Sequence, residues 1–254
     1  MKYYILSSGS KGNCSLICSS STSILIDCGI NKKNLIAGLS KVNLGIEDIS
    51  KAFLSHSHSD HISGFKFIPK EKWMVYKDMV KEELNEEQIF RHYEPVSVGD
   101  LLITPLPLSH DCPHTSGFLV KDVNTGEELV QITDTGYIKD KVLDLIRNKE
   151  YYIFESNHDV AMLYNSSRPL MLIRRIHSDK GHMDNVEAST YLSNLIGERT
   201  RQIVLAHLSE ECNTPELALQ TYNEVMKSQL GEIPLSINVR CAAFNTFLKG
   251  GEDD

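Results

Sequence analysis

Leu54 to Gly64 reads L-S-H-S-H-S-D-H-I-S-G. Three histidines and an aspartate, His56, His58, Asp60 and His61, fall within six positions. Imidazole binds zinc, iron and nickel well, and a carboxylate suits harder divalent ions. Alternate residues of an extended segment share a side, so His56 and His58 point the same way. Asp60 and His61 follow after the chain turns, and the spacing suits two metal sites rather than one. A polar surface loop can also collect histidines by chance, and ten are spread along this chain. The flanks argue against chance. Lys51 to Leu54 (K-A-F-L) is short and apolar, like a buried strand end, and Gly64 leads into an apolar patch from Phe65 to Ile68. A strand that delivers polar groups into a loop is where binding chemistry usually sits.

An H-x-H-x-D-H run after a short apolar strand resembles the signature of the metallo-β-lactamase-fold hydrolases. Such proteins take a third histidine for the first metal from a later strand end, and His110 in L-P-L-S-H-D fits. They take a bridging aspartate from another strand end, and Asp134 in L-V-Q-I-T-D-T-G fits. They take a last histidine late in the chain, and His207 in I-V-L-A-H-L-S-E-E fits. Four further stretches are similar to a small bacterial subgroup, the YycJ/WalJ-like proteins. These are S-S-G-S-K-G-N (Ser7 to Asn13), E-S-N-H-D (Glu155 to Asp159), G-H-M-D-N (Gly181 to Asn185) and A-H-L-S-E-E-C-N (Ala206 to Asn213). The resemblance runs from about residue 1 to residue 240 and departs from the subgroup at Met183, Asp184 and Cys212.

The resemblance implies an α/β (α+β) fold, a four-layer αββα sandwich, formed as one domain over residues 1–250 with a flexible tail at 251–254. It also implies two divalent ions. His56, His58 and His110 would hold the first, Asp60, His61 and His207 the second, and Asp134 would bridge them. Zinc is the first choice and manganese the second, because histidines with two carboxylates accept either. Two ions about 3.5–4 Å apart can share a hydroxide and clamp both sides of a displacement. Seven ligands without a cysteine do not describe a closed structural zinc site. Asp60 could orient the attacking hydroxide, and His182, just before a helix-like run, could stabilise a phosphoryl oxygen or protonate a leaving group. Ser8 and Asn13, in the glycine and serine loop, are candidate substrate contacts, since small residues let a phosphate approach the backbone. Glu155, His158 and Asp159 are candidates for orienting the ligands. His92, His114 and His177 lack supporting spacing.

Proteins similar to this one remove nucleotides processively from DNA 5′ ends, so the leading expectation is a 5′-to-3′ exonuclease with DNA as substrate. Alternatives are a phosphodiesterase for cyclic nucleotides or other small phosphodiesters, a thioester or lactone hydrolase, and a catalytically idle metal-bound regulatory protein. The formal net charge of −8 argues against a broad phosphate-binding surface. One basic segment stands out, with Arg168, Arg174, Arg175 and Lys180. It suits either a small cationic cleft or a solvated stretch.

At 254 residues and 41% hydrophobic, the chain can bury a sizeable core. No apolar run is long enough to span a membrane, and the start lacks the pattern of a secretory signal. Six cysteines without a C-x-x-C pair suggest free thiols in a reducing cytoplasm. Strand-like runs lie at residues 3–6, 15–18, 24–27, 52–54, 74–76, 101–104, 117–120, 129–133, 151–154, 203–206 and 235–239. Helix-like runs lie at 32–39, 78–87, 138–148, 186–196 and 215–229. The last starts well, with Thr214 as cap, Pro215 in the first turn and Glu216 at the positive end.

Overall fold

Short apolar runs with few polar interruptions need burial on both faces, and two sheets packed together with helices outside provide it. The computed structural model describes residues 1–243 and 246–251. Its first sheet has seven strands in the spatial order Leu248–Gly251 (β14), Lys2–Ser7 (β1), Cys14–Cys18 (β2), Ser23–Ile26 (β3), Lys51–Phe53 (β4), Trp73–Tyr76 (β5) and Ile89–Phe90 (β6). The second also has seven, ordered Asn238–Cys241 (β13), Gln202–Ala206 (β12), Tyr151–Glu155 (β11), Glu128–Ile132 (β10), Ser116–Asp122 (β9), Leu101–Pro107 (β8) and Val96–Val98 (β7). In the first sheet β3 to β6 run parallel and β14, β1 and β2 antiparallel. In the second β10 to β13 run parallel and β7 to β9 antiparallel.

The period of two along each strand divides the core into three layers. Ile24, Ile26 and Phe53 of the first sheet meet Phe118, Tyr151, Ile153 and Val204 of the second between the sheets. Phe118 lies 5.7 Å, ring to ring, from both Phe53 and Phe90. The intervening residues face outward. Leu16, Leu25 and Ala52 pack with Leu35 and Leu39 of Lys32–Ser40 (α1). Tyr152, Phe154, Ile203 and Leu205 pack with Val142 of Asp140–Ile146 (α3), Leu192 of Asn185–Leu195 (α6) and Tyr222 of Pro215–Leu230 (α7). The order is αββα, as the resemblance implies. Among the described residues no helix is long and apolar enough to cross a membrane.

Five helix-like runs were expected, and four form. The run at 78–87 does not: the chain turns there and ends in a single 3₁₀ turn, Glu86–Gln88. Asp78, Glu82 and Glu86, and also Glu83 and Glu87, would repel at i, i+4 spacing in a helix. Asp78 instead takes a left-handed φ of 62°. The strand expected at 235–239 begins only at Asn238, because Pro234 accepts a turn hydrogen bond from Ile237 N and Leu235 is exposed. Gly251, expected in a flexible tail, is buried at the end of β14 and pairs with Lys2. The remainder of that expectation, 252–254, lies outside the described residues.

The fold places one edge of both sheets together. The parallel strands β3 and β4 lead into Asp27 and Ser55, and β10, β11 and β12 lead toward Asp134, Glu155 and His207. Carboxyl ends of parallel strands are where open α/β sheets bind ligands.

Candidate metal centre

The H-x-H-x-D-H stretch leaves β4 extended and then turns. His58 stands at the start of a four-residue helix, Ser59–Ile62 (α2), and its carbonyl accepts hydrogen bonds from His61 N (3.0 Å) and Ile62 N (3.1 Å). The turn leaves Asp60 and His61 close to the preceding pair, and the His61 ring lies 4.1 Å from that of His56. The loop presses close to the chain after β3. Asn13 N donates to Asp60 O at 2.7 Å, and a Cβ on Gly29 would lie 1.6 Å from that same oxygen. Only glycine fits there.

Seven side chains converge at this edge. His56, His58 and His110 bring ligand atoms within 4.8 Å of one another, and so do Asp60, His61 and His207. Asp134 joins His56 and His61 in one such group and Glu155, His182 and His207 in another. His110 Nε2 is 3.3 Å from His58 Nδ1, and His61 Nε2 is 3.2 Å from Asp134 Oδ2. His207 Nε2 is 3.5 Å from Asp134 Oδ1 and 3.8 Å from Asp60 Oδ2. Asp27, Asp134 and His207, each just past a strand, have left-handed φ of 60°, 61° and 56°. Such backbone costs a non-glycine residue on the order of 1–3 kcal/mol, and it clusters where a site must be held rigid.

Each proposed histidine ligand has a second group on its other ring nitrogen. Ser55 Oγ lies 3.0 Å from His56 Nδ1, and Asp27 Oδ2 lies 2.7 Å from His61 Nδ1. Gly181 O lies 3.0 Å from His110 Nδ1, and Glu155 Oε1 lies 3.0 Å from His207 Nδ1. Asp111 Oδ1 is 3.6 Å from His58 Nε2. Partners of this kind fix ring orientation in metal sites. By contrast His56 Nε2, Asp134 Oδ2 and His207 Nε2 are buried with no hydrogen-bond partner. A buried polar atom left unpaired costs about 1–3 kcal/mol, and cations held by the groups that contain these atoms would relieve it: His56 and Asp134 share one group, Asp134 and His207 another. The donor set fits a divalent ion.

Electrostatics agree. Burial pushes the His56 imidazole well below its ordinary pKa, and the neighbouring His61 adds to the effect. His207 is buried too, which opposes a positive charge. Even so, Asp134, Asp60 and Glu155 raise it to about 10. Burial likewise opposes, and Asp134 and Asp27 outweigh it, in raising His61. Asp134 is held well below the carboxylate range by His207 and His61, against the cost of its burial. The buried carboxylates thus favour positive charge beside them, on His61 and His207.

The other sequence candidates divide. His182 reaches the cluster. Its Nδ1 is 2.8 Å from Glu155 Oε1 and 3.8 Å from Asp134 Oδ1, and its ring lies 5.1 Å from that of His110. Glu155 is fully buried and lies between His182 and His207, and those histidines hold its carboxyl near 2 despite burial. Ser8 and Asn13 are buried. Ser8 Oγ accepts from His207 N at 2.8 Å, and Asn13 Nδ2 donates to Asp60 Oδ2 at 3.3 Å. His158 turns away, with Nε2 3.4 Å from His177 Nδ1, and Asp159 caps Val160–Tyr164 (α4) through Met162 N. Cys112 is buried with Sγ 3.3 Å from Ser57 Oγ, and all six thiols are free. Asp27, Ser55 and Asp111 were not singled out from sequence. Asp27 has a signal that parallels Asp134: a carboxylate that closes an apolar strand, S-I-L-I-D-C-G.

Residues 22–208 match the sequence model of the Beta-lactamase superfamily domain. The chain is 32% identical to "Exodeoxyribonuclease WalJ" of Streptococcus pneumoniae, over 96% of this chain and 94% of that one. It is 30% identical to "Exodeoxyribonuclease YycJ" of Bacillus anthracis, over 90% of each. The crystal structure of the metallo-β-lactamase fold protein YhfI from Bacillus subtilis superposes with a TM-score of 0.68, at 19% identity, covering 97% of this chain and 98% of that one. Fold, converging histidines and aspartates, and these matches agree: the chain belongs to the metallo-β-lactamase superfamily.

Proposed function

We propose that the protein is a metal-dependent phosphodiesterase that removes nucleotides from DNA in the 5′-to-3′ direction. The observation that carries this is the convergence of five histidines and two aspartates, three of whose buried atoms have no hydrogen-bond partner, in a chain whose relatives over nearly its full length carry exodeoxyribonuclease names. His56, His58 and His110 would hold one ion and Asp60, His61 and His207 a second, with Asp134 shared between the two sets. Zinc suits the set first and manganese second. Bound ions supply an acidified water and positive charge where phosphoryl oxygens become more negative.

The chain's own residues complete the site. Ionised Glu155 accepts from His182 Nδ1, which aims that ring at the mouth of the cluster, where it can meet a phosphoryl oxygen or leaving group. Asp60, with its carboxylate accepting from Asn13, can orient the attacking water. Ser8 and Asn13 we assign to holding His207 and Asp60 rather than to touching substrate, since their side chains are buried. Free thiols fit a cytoplasmic enzyme.

A small phosphodiester is the second reading, favoured by the net charge of −8. The test is parallel incubation of the metal-loaded protein with end-labelled DNA, bis-p-nitrophenyl phosphate and a thioester. Release of mononucleotides from 5′ ends supports the proposal. Turnover of the small diester with intact DNA would replace it with the second reading, and thioester cleavage alone would refute both.

A further inference from the structure

The five ligand histidines do not have equivalent supports. Four lean on groups that are themselves buried or part of the backbone. His58 leans on Asp111, whose side chain is 23% exposed and lies at the lip of the cluster. Asp111 Oδ1 is also 3.3 Å from His110 Nε2. Its other oxygen is gripped by the guanidinium of Arg175, through Nε and a terminal nitrogen. Arg175 is 58% exposed. A carboxylate at the open edge of the first histidine set is thus tied to a cation that faces solvent.

The position of Arg175 is built. It sits at the end of Leu170–Ile176 (α5), where a Cβ on Gly181 would lie 2.3 Å from Arg175 O and 2.0 Å from Ile176 O. Gly181 O in turn meets His110 Nδ1, His182 N donates to Ile176 O, and Ser178 Oγ donates to Arg175 O. The helix end is therefore packed on two residues of the candidate site. A basic residue in a last helical turn also suits the helix dipole. That explains a charge near this end but not a two-pronged grip on the carboxylate beside His58 and His110. A guanidinium fork matches a phosphate as well as it matches a carboxylate.

We propose that Arg175 is the cation that binds the DNA strand: Asp111 holds it ready in the free protein, and a backbone phosphate next to the scissile one displaces Asp111 from it. The inference rests on the nuclease reading above. It assigns the one basic segment of an acidic chain to a phosphate contact at the metals. Asp111 acts as a stand-in anion that keeps the fork oriented and returns to it when product leaves.

The experiment measures binding of a short single-stranded phosphorothioate oligodeoxynucleotide to metal-loaded protein across a salt series, with metal content determined for each variant. Arg175→Ala should weaken binding about tenfold, the loss of one charge-assisted contact. It should also flatten the log–log salt slope by about 0.7, the share of one phosphate contact on a single strand. Arg175→Lys should keep the slope while binding with intermediate strength. Asp111→Asn keeps an oxygen beside His58 and removes the competing charge, so binding should tighten roughly two- to fivefold. Opposite signs for the two partners are the signature. If both substitutions weaken binding alike, the pair is a structural tie and the proposal falls. An unchanged slope in Arg175→Ala overturns it while leaving the nuclease reading intact. Wild-type protein that neither cuts nor binds DNA overturns both.

Discussion

At the scale of single residues, the geometry separates side chains that would hold an ion from those that would act on substrate. We assign Asp134 and His58 to the first kind, and alanine at either should abolish phosphodiester cleavage together with metal content measured by atomic emission. We assign His182 to the second. His182→Ala should lower kcat by about 10²–10⁴-fold, the usual share of a proton donor, with metal content nearly unchanged. Asp27→Asn, which weakens the group behind His61, should cost about 10–100-fold in metal affinity. The first half of the candidate cluster was legible because His56, His58, Asp60 and His61 fall within six positions. Ser55 sits 28 residues from Asp27, and His182 sits 27 from Glu155. No spacing rule announces such pairs; folding alone brings them together.

At the scale of elements, local rules worked where the chain was locally consistent. Thr214 accepts from Leu217 N at 3.1 Å, Pro215 occupies the first turn, and Gly231 closes α7 with a φ of 80°. Thr214→Ala should therefore destabilise the protein by about 1 kcal/mol, read as a lower urea midpoint with an unchanged m value. Asp184 likewise caps α6 through Val186 N and Glu187 N, as its place before that helix suggested. The segment from Asp78 to Glu87 misled because its apolar residues Met79, Val80 and Leu84 pack against the outer core without a helix beneath them. Its acidic residues at i, i+4 spacing were the overlooked signal. Strands β6 and β7 were missed because two or three residues carry too little pattern to stand out. The four-layer order itself came from the resemblance, since alternating short strands and helices do not define it.

At the scale of the whole molecule, the proposed ligand residues come from both halves of the sandwich. His56, His58, Asp60 and His61 follow β4 of the first sheet, whereas His110, Asp134 and His207 follow β8, β10 and β12 of the second. Chelation should lower the melting temperature, and zinc or manganese should restore it. Free ion at a thousandfold over its dissociation constant adds about 4 kcal/mol to folding. A melting curve indifferent to chelator would contradict ligation across the sheets. An ion held by residues of both sheets would be a rivet through two plates. A cell short of that ion would hold more copies sprung open at one end and within reach of its proteases, so the protein's lifetime would follow metal supply as well as gene expression.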